Sequence, residues 1–155
     1  MRAGRSGSPT SEFGGGMTQS GISAQLMPDD VRAAFEAMPA PLRARFAELR
    51  NRIYRVSEEN VRIGPLEETL KWGEPAYRPC SGAGSTVRLA VPRDAPDHCG
   101  VFFICSTGLV DSFRAEFPEL SCLGNRAILV DPRAPVPEVL DTCLFRAMSY
   151  HLPAS

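Results

Sequence analysis

Residues 136–148 place apolar side chains at Val136, Val139, Leu140, Cys143, Leu144, Ala147 and Met148, the repeat of one helix face. A stripe this long and one-sided must lie on a broad apolar surface, and a sheet supplies one. Leu42, Phe46, Leu49, Ile53 and Val56 make a second such stripe nearer the N-terminus. Between the two helices the period changes. "TVRLAV" alternates, with Val87, Leu89 and Val91 on one side. "CGVFFICS" is continuously apolar: Cys99, Val101, Phe103 and Cys105 face one way, Phe102 and Ile104 the other. A strand apolar on both sides belongs in the middle of a sheet. "AILV" at 127–130 is a further strand, closed by Asp131-Pro132. The order defines an α+β fold, a mostly antiparallel sheet packed against N-terminal and C-terminal helices.

Shorter elements fill the gaps. "PDDVRAAFEAM" is a first helix, with Asp29 or Asp30 placed to cap its free amides and Val31, Phe35 and Met38 on one face. Pro41 opens the second helix. Arg43, Arg50, Arg52 and Arg55 fall on its flanks and outer side, as stems packed over the core edge or as a basic face able to touch phosphates. "LEETLKW" reads as a short helix stopped by Gly73 and Pro75. "CSGAGS" reads as a flexible turn. "GLVDSFRAEF" is a helix capped by Ser106 or Thr107.

The chain has 155 residues, enough for one domain with one core. Residues 1–26 are dominated by Gly, Ser, Thr and Pro and are read as a disordered tail, with Met17 an alternative start; residues 27–155 form the domain. A net charge of −1 gives no global field toward nucleic acid or an anionic membrane. No apolar run approaches the ~20 residues of a membrane helix, and the N-terminus has no apolar signal region. Five cysteines, an odd number with no Cys-x-x-Cys pair, fit free thiols in a reducing cytoplasm.

No catalytic residue emerges. His98 and His151 lack partners at metal-ligand spacing, and "GAGS" does not lead into a phosphate-loop helix. His98 and Cys99 are adjacent, so on a strand they face opposite sides. The chain's only tryptophan, Trp72, follows its only lysine, Lys71. On a helix Glu68 would share their side of the turn, and the indole would either anchor a core edge or form a recognition surface. Gly124-Asn125 marks a turn, with Arg126 at the start of the next strand, able to clasp a carboxylate of the protein or of a ligand. The acidic doublets Asp29-Asp30, Glu58-Glu59 and Glu67-Glu68 serve as caps and solvated faces, or as a weak surface for a hard cation, with Asp29, Glu59 and Glu68 the metal candidates.

"EETLKWGEPAY" resembles the Glu-x-x-Lys-Trp-Gly-x-Pro-x-Tyr signature of the DUF1801, or YdhG-like, family. "FFICSTGLVDSFRAEFP", "LGNRAI" and "AMSYH" resemble later segments of one branch in the same order, so the likeness spans roughly residues 40–152. It implies a compact α+β domain with an antiparallel sheet, sometimes compared with frataxin. Some relatives are regarded as intracellular iron chaperones. The resemblance thus implies a non-enzymatic binding module, with iron handling as one role and a small-ligand or protein-interaction surface at Trp72, Tyr77 and Arg126 as the other. The implied binding residues are Glu68, Lys71, Trp72, Tyr77, Asn125 and Arg126, with Gly73 and Pro75 shaping the motif. The acids here are scattered doublets rather than the dense ridge of a frataxin-like iron donor.

Overall fold

The computed structural model describes residues 27–153. The reading of residues 1–26, and of Met17 as a start, lies outside the described residues. The elements are α1 (Asp29–Glu36), α2 (Ala40–Glu58), β1 (Leu66–Lys71), β2 (Glu74–Pro79), β3 (Val87–Ala90), β4 (Cys99–Phe103), α3 (Leu109–Glu116), β5 (Ser121–Leu123), β6 (Ala127–Val130) and α4 (Val139–Met148). Six strands form one sheet in the order β1-β2-β3-β4-β6-β5, every neighbouring pair antiparallel. The α+β class expected from sequence is the one observed, and β4 sits inside the sheet.

Register explains which side the helices cover. Tyr77 pairs with Val87, Val87 with Phe103, Leu89 with Val101, and Val101 with Ile128. Directly paired residues share a sheet face, and all of these are buried in one core. Both helical stripes pack there: Phe46, Leu49 and Ile53 of α2, and Leu140, Cys143, Leu144, Ala147 and Met148 of α4. The opposite, open face carries Thr69, Ala76, Arg88, Phe102, Ala127 and Leu123 in one row across the sheet.

Two local readings are corrected and a third is narrowed to one residue. "LEETLKW" is not a helix. Leu66–Lys71 and Glu74–Pro79 form a hairpin joined by Trp72 and Gly73, whose φ angles are 56° and 76°. Positive φ at both turn residues matches strand twist, and Gly73 takes it freely. Ladder pairing with β2 outweighs the weak helical preference of six residues. The "CSGAGS" segment is not free: the Ser85 amide donates to the Ala147 carbonyl at 2.8 Å, and the His151 amide to that of Ala83 at 2.8 Å. A Cβ at Gly84 would lie 2.1 Å from the Met148 carbonyl carbon, so the loop closes on the end of α4 only because this residue is glycine. At the start of α1 the N-cap position is Pro28; of the two expected acids, Asp29 turns to Arg32 at 3.0 Å, while Asp30 Oδ1 accepts from the free Val31 amide at 2.8 Å.

Candidate functional site

The hairpin sends its residues to two different environments. Alternation puts Glu68 and Tyr77 on the helix side, where they pair directly across the ladder. There the Glu68 carboxylate accepts four hydrogen bonds: from Arg50 Nε at 2.6 Å and Nη2 at 2.7 Å, from the Tyr54 hydroxyl at 2.9 Å and from the Tyr77 hydroxyl at 2.8 Å. Both charged side chains are almost wholly buried. Two carboxylate oxygens offer about four acceptor positions, so every one is used. Burial first, and then the Glu68 charge, pushes the Tyr54 and Tyr77 pKa values above the ordinary phenol value, which keeps both as donors. Burial pulls the Arg50 pKa down, but the Glu68 hydrogen bond and charge outweigh it and the net shift is upward.

Arg50 was expected on the flank or outer side of α2. It is instead inside, because a guanidinium side-on to a carboxylate can be buried where a lone cation cannot. The other α2 arginines are also committed within the chain: Arg52 and Arg55 meet Asp141 of α4 at 3.1 and 2.9 Å, Arg43 Nε donates to the Met38 carbonyl at 2.8 Å, and Arg45 meets Glu48 and the Pro132 carbonyl, the latter at 3.2 Å.

Trp72 is 90% exposed. It is no core anchor, and the fully buried Tyr77 is no part of a surface with it. Trp72, Tyr77 and Arg126 therefore do not converge on one pocket. Lys71 lies on the open-face side of the hairpin, opposite Glu74. Asn125 and Arg126 stand in the β5–β6 turn, where Gly124 has a φ of 56°.

Arg126 borders a depression of about 530 Å3 on the open face, lined also by Glu74, Arg88, Arg93, Asp94, Phe102 and Cys105. Its Nη2 reaches Asp94 at 3.4 Å, with both side chains exposed. Arg88 stacks over the Phe102 ring at 5.2 Å and pairs with Glu74. Arg93 makes no ion pair among the described residues. The sequence reading found Arg126 and missed Arg88, Arg93 and Phe102. The signal for Arg88 was present, since it is the polar position between Val87 and Leu89 in an alternating strand.

Asp29, Glu59 and Glu68 do not gather. Among the described residues, no three or more His, Cys, Asp or Glu side chains are placed to hold a metal ion. Cys99 is buried, its thiol pushed up to about 12 by burial, and His98 turns to Asp97 at 2.9 Å, so the two do not make an activated pair. All five cysteines are free. Among the described residues, no helix is long and apolar enough to cross a membrane.

These observations define an α+β domain with a covered sheet face that holds a buried ionic cluster, and a charged open face. The fold is similar to that of a solved structure, a DUF1801-family protein, YdhG, from Bacillus subtilis, with a TM-score of 0.52 and 15% sequence identity over 79% of this chain and 86% of that one. At that identity the likeness speaks for the fold alone. No protein-family model and no curated protein matches the sequence.

Proposed function

We infer that this chain is a cytoplasmic, non-enzymatic binding module that takes a small anionic ligand, a carboxylate or phosphate, in the depression on the open face of its sheet. The observation that carries this reading is the convergence of Arg88, Arg93 and Arg126 around Phe102. Guanidinium forks suit carboxylate and phosphate geometry. Arg93 has no ion-pair partner among the described residues, and the Arg126–Asp94 contact is long and solvent-exposed, so an anion can displace Asp94 at small cost. Five free thiols support a reducing compartment. Binding is favoured over catalysis because the Glu68 carboxylate, the best-buried acid, is saturated by four donors and has no lone pair left for proton transfer. Iron handling is the weaker reading, because an oxygen-ligand site needs clustered acids.

The test is calorimetric titration with citrate and with inorganic phosphate, on the parent chain and on Arg93→Ala and Arg126→Ala. Saturable binding that weakens about tenfold or more in each variant, and weakens with added salt, is expected. Equal binding by parent and both variants, or no binding of either anion, overturns the reading.

A further inference from the structure

The binding depression leaves the free edge of β1 unused. β1 ends the sheet, so backbone groups on its outer side point away from β2 with no ladder partner among the described residues. The two ends of this edge differ. At one lies the turn, with Trp72 held at a φ of 56° that few residues other than glycine and asparagine adopt. At the other is a largely apolar hollow of about 780 Å3, lined by Tyr54, Val61, Gly64, Pro65 and Leu66. Val61 and Trp72 are the most exposed large apolar side chains among the described residues. Lys71, beside the indole, makes no ion pair among the described residues.

We propose that two copies of the chain pair antiparallel along their β1 edges about a two-fold axis, each copy's Trp72 seated in the other's hollow. Strand parity and charge select one register. Directly opposed residues must share a sheet face, so a shift by a single residue is forbidden. With Thr69 facing Thr69 of the second copy on the axis, Glu67, which already meets Arg78 of its own copy at 2.5 Å, comes opposite the second copy's Lys71, both on the open face. Leu66, which lines the hollow, comes opposite the second copy's Trp72. A shift by two residues would instead oppose Glu68 to Glu68 or leave Lys71 opposite Thr69, losing the charge pair. The two-fold satisfies both edges and fills both hollows at once, so the assembly closes as a dimer. The exposed indole, on a backbone of positive φ, then has an explanation as the interface anchor, a role in which tryptophan is enriched.

Two measurements on the full chain test this. Sedimentation velocity over a wide concentration range should show a reversible monomer–dimer equilibrium. Because Trp72 is the only tryptophan, its emission should be blue-shifted at high concentration and move to the red on dilution. Lys71→Glu sets like charges opposite Glu67 twice per dimer and should raise the dimer Kd by about tenfold or more. Glu67→Lys, which also loses its own Arg78 and so is checked for folding by circular dichroism, should do the same, and combining the two should recover dimerisation. Trp72→Ala, folded by circular dichroism, should be monomeric. A parent chain that sediments as a monomer at every concentration overturns the proposal. So does a dimer that Lys71→Glu leaves intact, or a folded double variant that fails to recover dimerisation.

Discussion

The Arg50 guanidinium and the Glu68 carboxylate meet side-on through two hydrogen bonds of 2.6 and 2.7 Å, joining the middle of α2 to the edge strand β1 inside the protein. Tyr54 lies under the same guanidinium at 4.8 Å and edge-on to Tyr77 at 5.9 Å. The four side chains form one closed unit in which both charges and both hydroxyls are satisfied. Such a unit contributes little over an apolar replacement of the same shape, but it is costly to break from one side.

Arg50→Leu should therefore destabilise the fold by about 3–5 kcal/mol, because it leaves the Glu68 charge buried without its cation. Arg50→Lys should fall between that variant and the parent, since an ammonium keeps the charge but not the two-point geometry. Urea denaturation of the three proteins decides this. A loss under ~1 kcal/mol for Arg50→Leu would mean the carboxylate has water access.

The raised phenol pKa values fix the direction of the alkaline response. In the unfolded chain Tyr54 and Tyr77 ionise near the ordinary value of 10.0, while in the folded chain they hold their protons to higher pH. Their contribution is fully present below about pH 10 and is lost as pH rises above it. Phenolate absorbance from these two residues should appear together with loss of the circular dichroism signal. Tyr54→Phe and Tyr77→Phe should each reduce the absorbance step that accompanies unfolding. Phenolate formation from both residues in a still-folded chain would contradict the buried cluster.

Trp72→Asn should stabilise the isolated hairpin turn by about 1 kcal/mol, since asparagine tolerates the left-handed conformation that costs a bulky residue energy. The measurement is denaturant unfolding at a protein concentration low enough to keep single copies. Destabilisation by several kcal/mol would mean that the ring is packed against the core after all.

Anaerobic titration with Fe(II) should give no saturable binding at micromolar iron, because Asp29 is paired to Arg32, Glu68 is saturated, and among the described residues no three acids, Glu59 included, are placed to hold one ion. A micromolar isotherm lost in Asp29→Asn or Glu59→Gln would reinstate the iron reading.

Much of the fold was legible in the sequence because its strongest signals are long. The stripes of α2 and α4, the apolar run of β4 and the alternation of β3 each spread one pattern over enough residues for burial to dominate. The Gly124-Asn125 turn was legible from backbone chemistry alone. The three-residue β5 is too short to show any period. Arg126 was recognisable as a cation free to meet a carboxylate, but its neighbours Arg88, Arg93 and Phe102 come from different elements and join it only through the strand order.

What the sequence by itself determined is the alternation of α and β segments, the identity of the core-facing residues in the long elements and the composition of the "EETLKWGEPAYRP" stretch. What only the tertiary structure decided is the conformation of that stretch and the fate of its residues. The seven residues from Leu66 to Trp72 carry too little helical or strand preference to choose alone, and the choice falls to β2, which pairs with every residue of β1. Once the strand forms, its two-residue period sends Glu68 inward to Arg50 and leaves Trp72 outside at the turn, a separation that the 3.6-residue period of a helix would not have made.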